Sequence, residues 1–540
     1  MAEPTMFVRK ASGLVRAWSV FDGFIYATFS INLITLGLYI FSSAPFLPAA
    51  HLVPAIVISS LLILAEVVVY GMLVAIMPRA GGDYVWQSRV LGGGPGFVLA
   101  ITGWAFILWH WVPIYGTILA YEVLTPILAV LGGWTGSPGL VQAALWFSDK
   151  NGLFLSSLIV IGLAFLFVGA GMKWYARIQK VCFFIGAAGL LLAILVLLVS
   201  SQAQFITSFN HYAATFLGAP GNNLYQEIMQ LASKEGYTPV AWHNMSFSAS
   251  LSLIPMVVFW NLWPNWGATL YGEVRGAGDF KRNFWSMAAG LLITAALAII
   301  LLALFAKTFG WEFYHDLNYD FFSGKSPFPV YPYPGLLVAF LTNNPLLQLL
   351  LLVALSAWFF GWCGTVFLSS TRVVFAAAFD RVLPEWVARV SPRTRAPINA
   401  LLLMAIPATI VSLLNSYLPG FSTYTLDATV VIAITYLGTT VAAILLPYKD
   451  KELFQSSPVA RYKLGGIPWI SVSGVIFLIF LCFNLYKWIT DSVYGVNNPA
   501  SAVYMLVLYA LAVAIYFGSK WFRRRQGIDL DMVYKNIPVE

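Results

Sequence analysis

Twelve apolar runs constrain this chain more than any other feature, because each is near the ~20 residues that carry a helix across ~30 Å of hydrocarbon. They lie at residues 20–46, 52–77, 96–131, 153–171, 175–200, 248–271, 284–308, 346–371, 397–415, 425–446, 467–489 and 500–521. Hydrocarbon offers no partners to backbone N–H and C=O groups, so such runs fold as helices packed on one another. The chain is predicted to be an all-α membrane protein with twelve transmembrane helices. Hydrophobic residues make up 60% of its 540 positions and charged ones 10%, a balance no soluble class shows.

Lysine and arginine set the predicted orientation. With the first segment cytoplasmic, 25 of the 30 basic residues fall on inner segments, among them Arg9, Lys10, Arg79, Arg89, Arg372 and Lys449, and only five on outer ones. This asymmetry puts both termini in the cytoplasm of a multi-pass protein of the plasma membrane. It also explains the net charge of +8, so nucleic acid is not an expected partner; the lipid bilayer is. Residues 1–16 carry no small-residue cleavage site before the first run, which reads as a retained helix.

The sixth run cannot be one smooth helix. Phe259-Trp260-Asn261-Leu262-Trp263-Pro264-Asn265-Trp266-Gly267 places a proline, a glycine and two asparagines at mid-depth. Pro264 has no N–H and clashes one turn back, while asparagine side chains compete for nearby backbone groups. A bland alternative is a proline kink that helps helices pack. The first run carries a second interruption, Ser30-Ile31-Asn32-Leu33-Ile34-Thr35-Leu36-Gly37. Interrupted helices five spans apart and opposite in direction predict a 5+5 inverted repeat with discontinuous helices 1 and 6, plus two extra C-terminal helices. The expected division is 1–19, a cytoplasmic segment; 20–200, the first repeat; 201–247, an outer loop; 248–447, the second repeat; 448–521, helices 11 and 12; and 522–540, a cytoplasmic tail.

In the outer connections, Leu224, Ile228 and Leu231 predict a short surface helix between Asn222 and Lys234. The proline-rich residues 327–335 should lie extended on the outer face. Asn244-Met245-Ser246 matches a glycosylation sequon, a motif frequent by chance. Cys182, Cys363 and Cys482 form no motif, the five histidines are scattered, and no P-loop is present, so no cofactor, metal site or enzymatic activity is expected.

Ionisable groups at mid-depth are functional candidates, because burying them in hydrocarbon is expensive. Glu66 and His110 are the coupling candidates. For Glu66 the alternative is a neutral carboxyl bonded to Tyr70 one turn on, and for His110 a satisfied polar group in a packed bundle. Glu122 should lie nearer the outer surface and Asp22 nearer the inner one, while Asp427 with Thr425 suits a helix cap.

Several loops carry a resemblance. Met77-Pro78-Arg79-Ala80-Gly81-Gly82-Asp83-Tyr84 is similar to the Pro-Arg-x-Gly-Gly-x-Tyr loop of the amino acid–polyamine–organocation superfamily of permeases. Ser370-Thr371-Arg372, Phe379-Asp380-Arg381-Val382-Leu383-Pro384 and Pro392 to Ala400 resemble that superfamily's eighth helix and the loop into its ninth. Gly171-Met172-Lys173 resembles its fourth loop, and Tyr271-Gly272-Glu273-Val274-Arg275 the acidic end of its sixth helix.

The resemblance implies a secondary transporter that moves an amino acid by alternating access. It leaves open a polyamine or organic cation permease or exchanger, and a transporter-like amino acid receptor. It implies a substrate site at Ile31, Asn32, Thr35, Gly37, Phe259, Trp260, Asn261 and Trp263, with Phe259 closing over the substrate. The chain departs from the pattern in its glycine-poor first break and in Trp263, near whose position relatives have a glycine. Gly186 stands where some proton-coupled relatives carry a lysine. The coupling ion stays open between proton and sodium. Thr365, Ser369 and Ser370 offer oxygens for sodium, although hydroxyls in membrane helices commonly bond their own backbone.

Overall fold

The computed structural model describes residues 14, 16–219, 223–535 and 537. Arg9, Lys10 and Asn222 lie outside the described residues, as does the side chain of Thr425. The described residues are all-α apart from one two-stranded hairpin, Lys463–Leu464 with Ile467–Pro468. Gly465 and Gly466, at φ 56° and 85°, form its turn, a pairing of left-handed residues that suits the twist of a two-residue hairpin.

Twelve helices among the described residues are long and apolar enough to cross a membrane. The spans used below are the first, Val20–Phe41; second, Leu52–Ile76; third, Gly93–Thr135; fifth, Met172–Val199; sixth, Phe247–Glu273; seventh, Phe280–Phe322; eighth, Pro345–Phe379; tenth, Asp427–Lys449; eleventh, Trp469–Thr490; and twelfth, Pro499–Arg525. The fifth and twelfth are mostly exposed along their length, and Leu191, Leu195, Leu506 and Val507 form part of an apolar outer wall suited to lipid. The first and tenth are mostly buried and lie in the interior.

Punctuation inside the spans follows from particular residues. In the seventh, Gly310 at φ 91° separates the long helix from Trp311–Phe322, whose charged residues Glu312, Asp316 and Asp320 mark it as an extension beyond the apolar run. In the eighth, a turn at Cys363 and Gly364 divides Pro345–Trp362 from Thr365–Phe379. Between the second and third spans, Gly81 and Gly82 take φ 93° and 32° and launch the helix Gly82–Val90. A β-carbon on Gly81 would meet that of Ala376 at 2.5 Å, so glycine is needed there for space as well as for conformation.

The connections expected on the outer face hold more structure than hydropathy predicts. The surface helix is present as Leu224–Lys234, but Gln202–Leu217 is a further helix, with Ser201 and Gln204 forming a capping box and Gly218 ending it at φ 63°. The expectation for residues 327–335 is corrected in two respects. Val330, Tyr331 and Tyr333 are buried rather than on the surface, and Pro334 begins a helix, Pro334–Phe340, where its missing N–H costs nothing. Asp427 is not a cap, since its helix starts at Thr423.

Candidate functional site

The α-helical part of the first span ends at Ile31, and Asn32 takes the left-handed conformation at φ 50°. Asparagine tolerates that region because its side chain replaces lost backbone bonds. Here Asn32 Oδ1 accepts from the Thr35 amide at 3.2 Å, and Nδ2 donates to Thr35 Oγ1 at 2.5 Å. The chain then continues as a wide turn, Leu33–Gly37. Gly37 itself has an ordinary φ of −64°. Its missing side chain makes room for Trp260, whose indole nitrogen would lie 2.7 Å from a β-carbon added there.

In the sixth span the α-helix Ile254–Asn261 gives way at Leu262 and Trp263 to the tighter helix Pro264–Glu273. The Phe259 carbonyl, left behind where the helix stops, accepts from the Trp263 indole at 2.8 Å. Asn261 Nδ2 donates to Ser59 Oγ of the second span at 2.8 Å. The Trp263 ring meets Trp111 and Trp266 edge-on, each at 5.2 Å. Phe259 turns another way and meets Trp488 of the eleventh span at 5.7 Å. Gly37, Trp260 and Phe41 therefore come together across the two breaks, with Phe41 4.9 Å from the Trp260 ring, while Phe259 stands apart from them.

Several buried polar atoms around the sixth span have no hydrogen-bond partner among the described residues. They include Trp260 Nε1, Asn261 Oδ1, Trp111 Nε1 and both polar atoms of the Asn265 amide. The Asn265 amide lies beside the Tyr436 hydroxyl without the geometry of a hydrogen bond. Buried polar groups are nearly always paired, so such a concentration marks a place suited to a polar ligand or to water.

The three hydroxyl residues considered for sodium are engaged by protein. The Tyr26 hydroxyl lies 2.7 Å from Ser369 Oγ and 3.1 Å from the Thr365 carbonyl. Ser369 donates to the Trp266 carbonyl at 2.9 Å, and the Trp266 indole donates to the Thr365 carbonyl at 3.2 Å. Thr365 Oγ1 is 3.1 Å from the Tyr115 hydroxyl, and Ser370 donates to its own backbone at Val366. These bonds fasten the first, sixth and eighth spans together.

Glu66 is buried with neither oxygen hydrogen-bonded among the described residues. The alternative of a bond to Tyr70 is corrected: the Tyr70 hydroxyl donates instead to Asp83 at 2.6 Å. His110 Nε2 lies 2.5 Å from the Tyr504 hydroxyl of the twelfth span, and its ring stacks on Phe421. Gly186 abuts Trp358, which fills the space beside it. No group of three or more His, Cys, Asp or Glu residues placed to hold a metal occurs among the described residues.

Pairings that the sequence did not reveal hold one end of the bundle together. Arg372 donates to both oxygens of Glu273, at 2.7 and 3.2 Å, in a wholly buried pair. Glu273 also offers its carbonyl to the Trp18 amide at 3.1 Å, and Arg275 returns a bond to the Trp18 carbonyl. Arg89 pairs with Asp380 at 2.5 Å, and Tyr84 donates to the same carboxylate at 3.0 Å. The signal that was available is that Glu273, Arg372, Tyr84 and Asp380 sit in the motifs quoted above and Arg89 among the inner basic residues; their pairing across 99 and 291 positions was not.

Twelve helices among the described residues are long and apolar enough to cross a membrane, and the family match that follows makes the chain a multi-pass membrane transporter. Residues 21–517 match the amino acid permease family, and the chain belongs to it. Its function class is amino acid transport. It is similar to an uncharacterized amino-acid permease of Schizosaccharomyces pombe, 24% identical over 472 residues that cover 83% of this chain and 72% of the relative.

Proposed function

We propose that this permease carries a small or medium neutral amino acid by alternating access, through a site where discontinuous first and sixth helices meet. The observation that carries the reading is the set of unpartnered polar atoms on Trp260, Asn261 and Asn265, beside the contact of Trp260 with Gly37. Helix ends at a break present N–H groups to a carboxylate and carbonyls to an ammonium group, so a zwitterion satisfies both. Ile31, Asn32, Thr35 and Gly37 line the first break; Phe259, Trp260, Asn261 and Trp263 line the sixth. Trp263, bulkier than the glycine of relatives, limits substrate size.

In this reading residues 20–200 and 248–447 are inverted repeats, with 1–19 and 522–540 cytoplasmic, 201–247 outside and 448–521 accessory. The breaks at Asn32 and at Leu262-Trp263 support it. The permease works in the plasma membrane and couples to protons through Glu66, whose unpaired oxygens at mid-span support that role. The engagement of Thr365, Ser369 and Ser370 with protein partners disfavours sodium.

Uptake of radiolabelled alanine, leucine and arginine into proteoliposomes, with pH and sodium gradients imposed separately, tests this. Accumulation of alanine or leucine under a pH gradient is expected. In Glu66→Gln that accumulation should vanish while exchange of internal for external substrate persists. Preference for arginine would overturn the size argument, and accumulation driven only by sodium would overturn the role of Glu66.

A further inference from the structure

Asp83 stands in the first turn of the helix Gly82–Val90, between the second and third spans, where a carboxylate is ordinarily solvated, yet it is wholly buried. Its environment draws on three spans. The Tyr70 hydroxyl of the second donates to Oδ1 at 2.6 Å, the Thr439 hydroxyl of the tenth donates to the same oxygen at 2.6 Å, and the Trp104 indole of the third donates to Oδ2 at 3.1 Å. Thr439 also accepts from Gln87 Nε2 at 2.7 Å, which leaves its proton to Asp83.

This one carboxylate ties the helix Gly82–Val90 to the bundle. That helix is held elsewhere at the same end: Gly81 N–H donates to the Thr269 carbonyl at 2.8 Å, and Lys449 Nζ donates to the Val90 carbonyl at 2.5 Å. Trp104 packs edge-on against Trp266 at 4.7 Å, and Trp266 holds the eighth span through Thr365. Lifting Gly82–Val90 would therefore strip Asp83 of its three donors, admit water to it and release Trp104 from its place against the sixth span.

We propose that Asp83 is a proton-responsive pin, a positioning residue that holds the helix Gly82–Val90 closed against three spans and whose bound proton passes to water when the helix lifts. The placement of this end in the cytoplasm rests on the orientation proposed above; the pin itself rests on the contacts.

The sign follows from burial. Burial pushes the Asp83 carboxyl up to about 6, against the pull of the hydrogen bonds from Thr439, Tyr70 and Trp104 in the other direction. A hydrated aspartate titrates near ~3.9. The closed state thus binds the proton more tightly than the open one, and closure is favoured as pH falls through about 6. From pH ~7.5 to ~5 the opening equilibrium of Gly82–Val90 falls about tenfold.

The titratable groups that face Asp83 from the packed spans are Glu66 and Tyr70 on the second and Tyr436 on the tenth, with Lys449 of the tenth at the far end of the helix Gly82–Val90. Glu273 and Arg372 of the sixth and eighth spans pair with each other, Tyr271 bonds Ser286, and Arg89 and Tyr84 of the helix itself meet Asp380, with Tyr534 of the tail beyond.

Hydrogen–deuterium exchange of peptides covering 82–90, on the full-length protein in nanodiscs and corrected for the intrinsic pH dependence of amide exchange, tests the pin without any substrate. The native protein should open about tenfold less at pH ~5 than at pH ~7.5. Asp83→Asn should remove that slope. Thr439→Val and Tyr70→Phe each remove a donor that favours the charged form, so each should move the midpoint to higher pH; they decide the matter if Asp83→Asn does not fold. A native slope in Asp83→Asn, or a midpoint that stays or moves down in both donor variants, overturns the proposal. In sealed vesicles, a response to acid on the side opposite a label at Ser456 would overturn the cytoplasmic placement and leave the pin standing.

Discussion

Gly37 and Trp260 touch across the two interrupted spans, so closely that a β-carbon on Gly37 would stand 2.7 Å from the indole nitrogen. The glycine serves space here rather than backbone freedom, because its φ is −64°. Each span is thereby registered on the other at its break.

Gly37→Ala should lower initial uptake about tenfold in protein that still folds, since overpacking of one methyl costs ~1–3 kcal/mol and must be absorbed by moving Trp260. Trp260→Phe in the same chain removes the clashing nitrogen and should recover part of the rate. Uptake by Gly37→Ala equal to the native rate would show that Trp260 yields freely.

Asn32 holds a left-handed residue with its side chain bonded to Thr35. Asn32→Gly keeps the backbone and loses only the cap, whereas Asn32→Val loses both. Thermal unfolding in detergent should rank native, then glycine, then valine, with ~1–2 kcal/mol between the first and last. Valine equal to glycine would mean that the conformation at residue 32 carries no strain.

Glu273 and Arg372 form a wholly buried ion pair. Removing one partner strands the other charge, so Glu273→Gln or Arg372→Met should each cost ~3–5 kcal/mol, while the double variant should lose less than the sum. A double-mutant cycle on thermal stability measures the coupling, and strict additivity would deny the pair any.

Orientation is tested by labelling single introduced cysteines in intact cells, in a background without native cysteines. Ser456→Cys should react only after the cytoplasm is opened and Ser233→Cys from outside, both sites being exposed. Ser88 is unsuitable for this purpose because it is buried against Gly96. Reversed labelling at both positions would invert the topology.

Much of the architecture was legible in the order of residues. The spans follow from apolar length alone, and the interruptions at Asn32 and at Trp263-Pro264 from residues that disfavour a helical ladder. Asn32 is left-handed and the α-helix Ile254–Asn261 gives way to a tighter one beyond Leu262, while Gly37 is a packing position. Local reasoning misled at Glu66 and Tyr70, which are spaced for a bond within one helix, because Asp83 offers Tyr70 a better acceptor from 13 positions away.

What the sequence determined by itself is whatever depends on near neighbours: hydrophobic length, helix-breaking chemistry and the asymmetric placement of basic residues. Tertiary structure alone decided which polar groups meet. Asp83 reads as an ordinary loop carboxylate until Tyr70, Trp104 and Thr439 converge on it, and Glu273 and Arg372 read as separate charges on two helices until those helices pack. The reason is physical. A buried charge is tolerable only where its partners are assembled around it, and that assembly depends on packing between segments far apart in the chain.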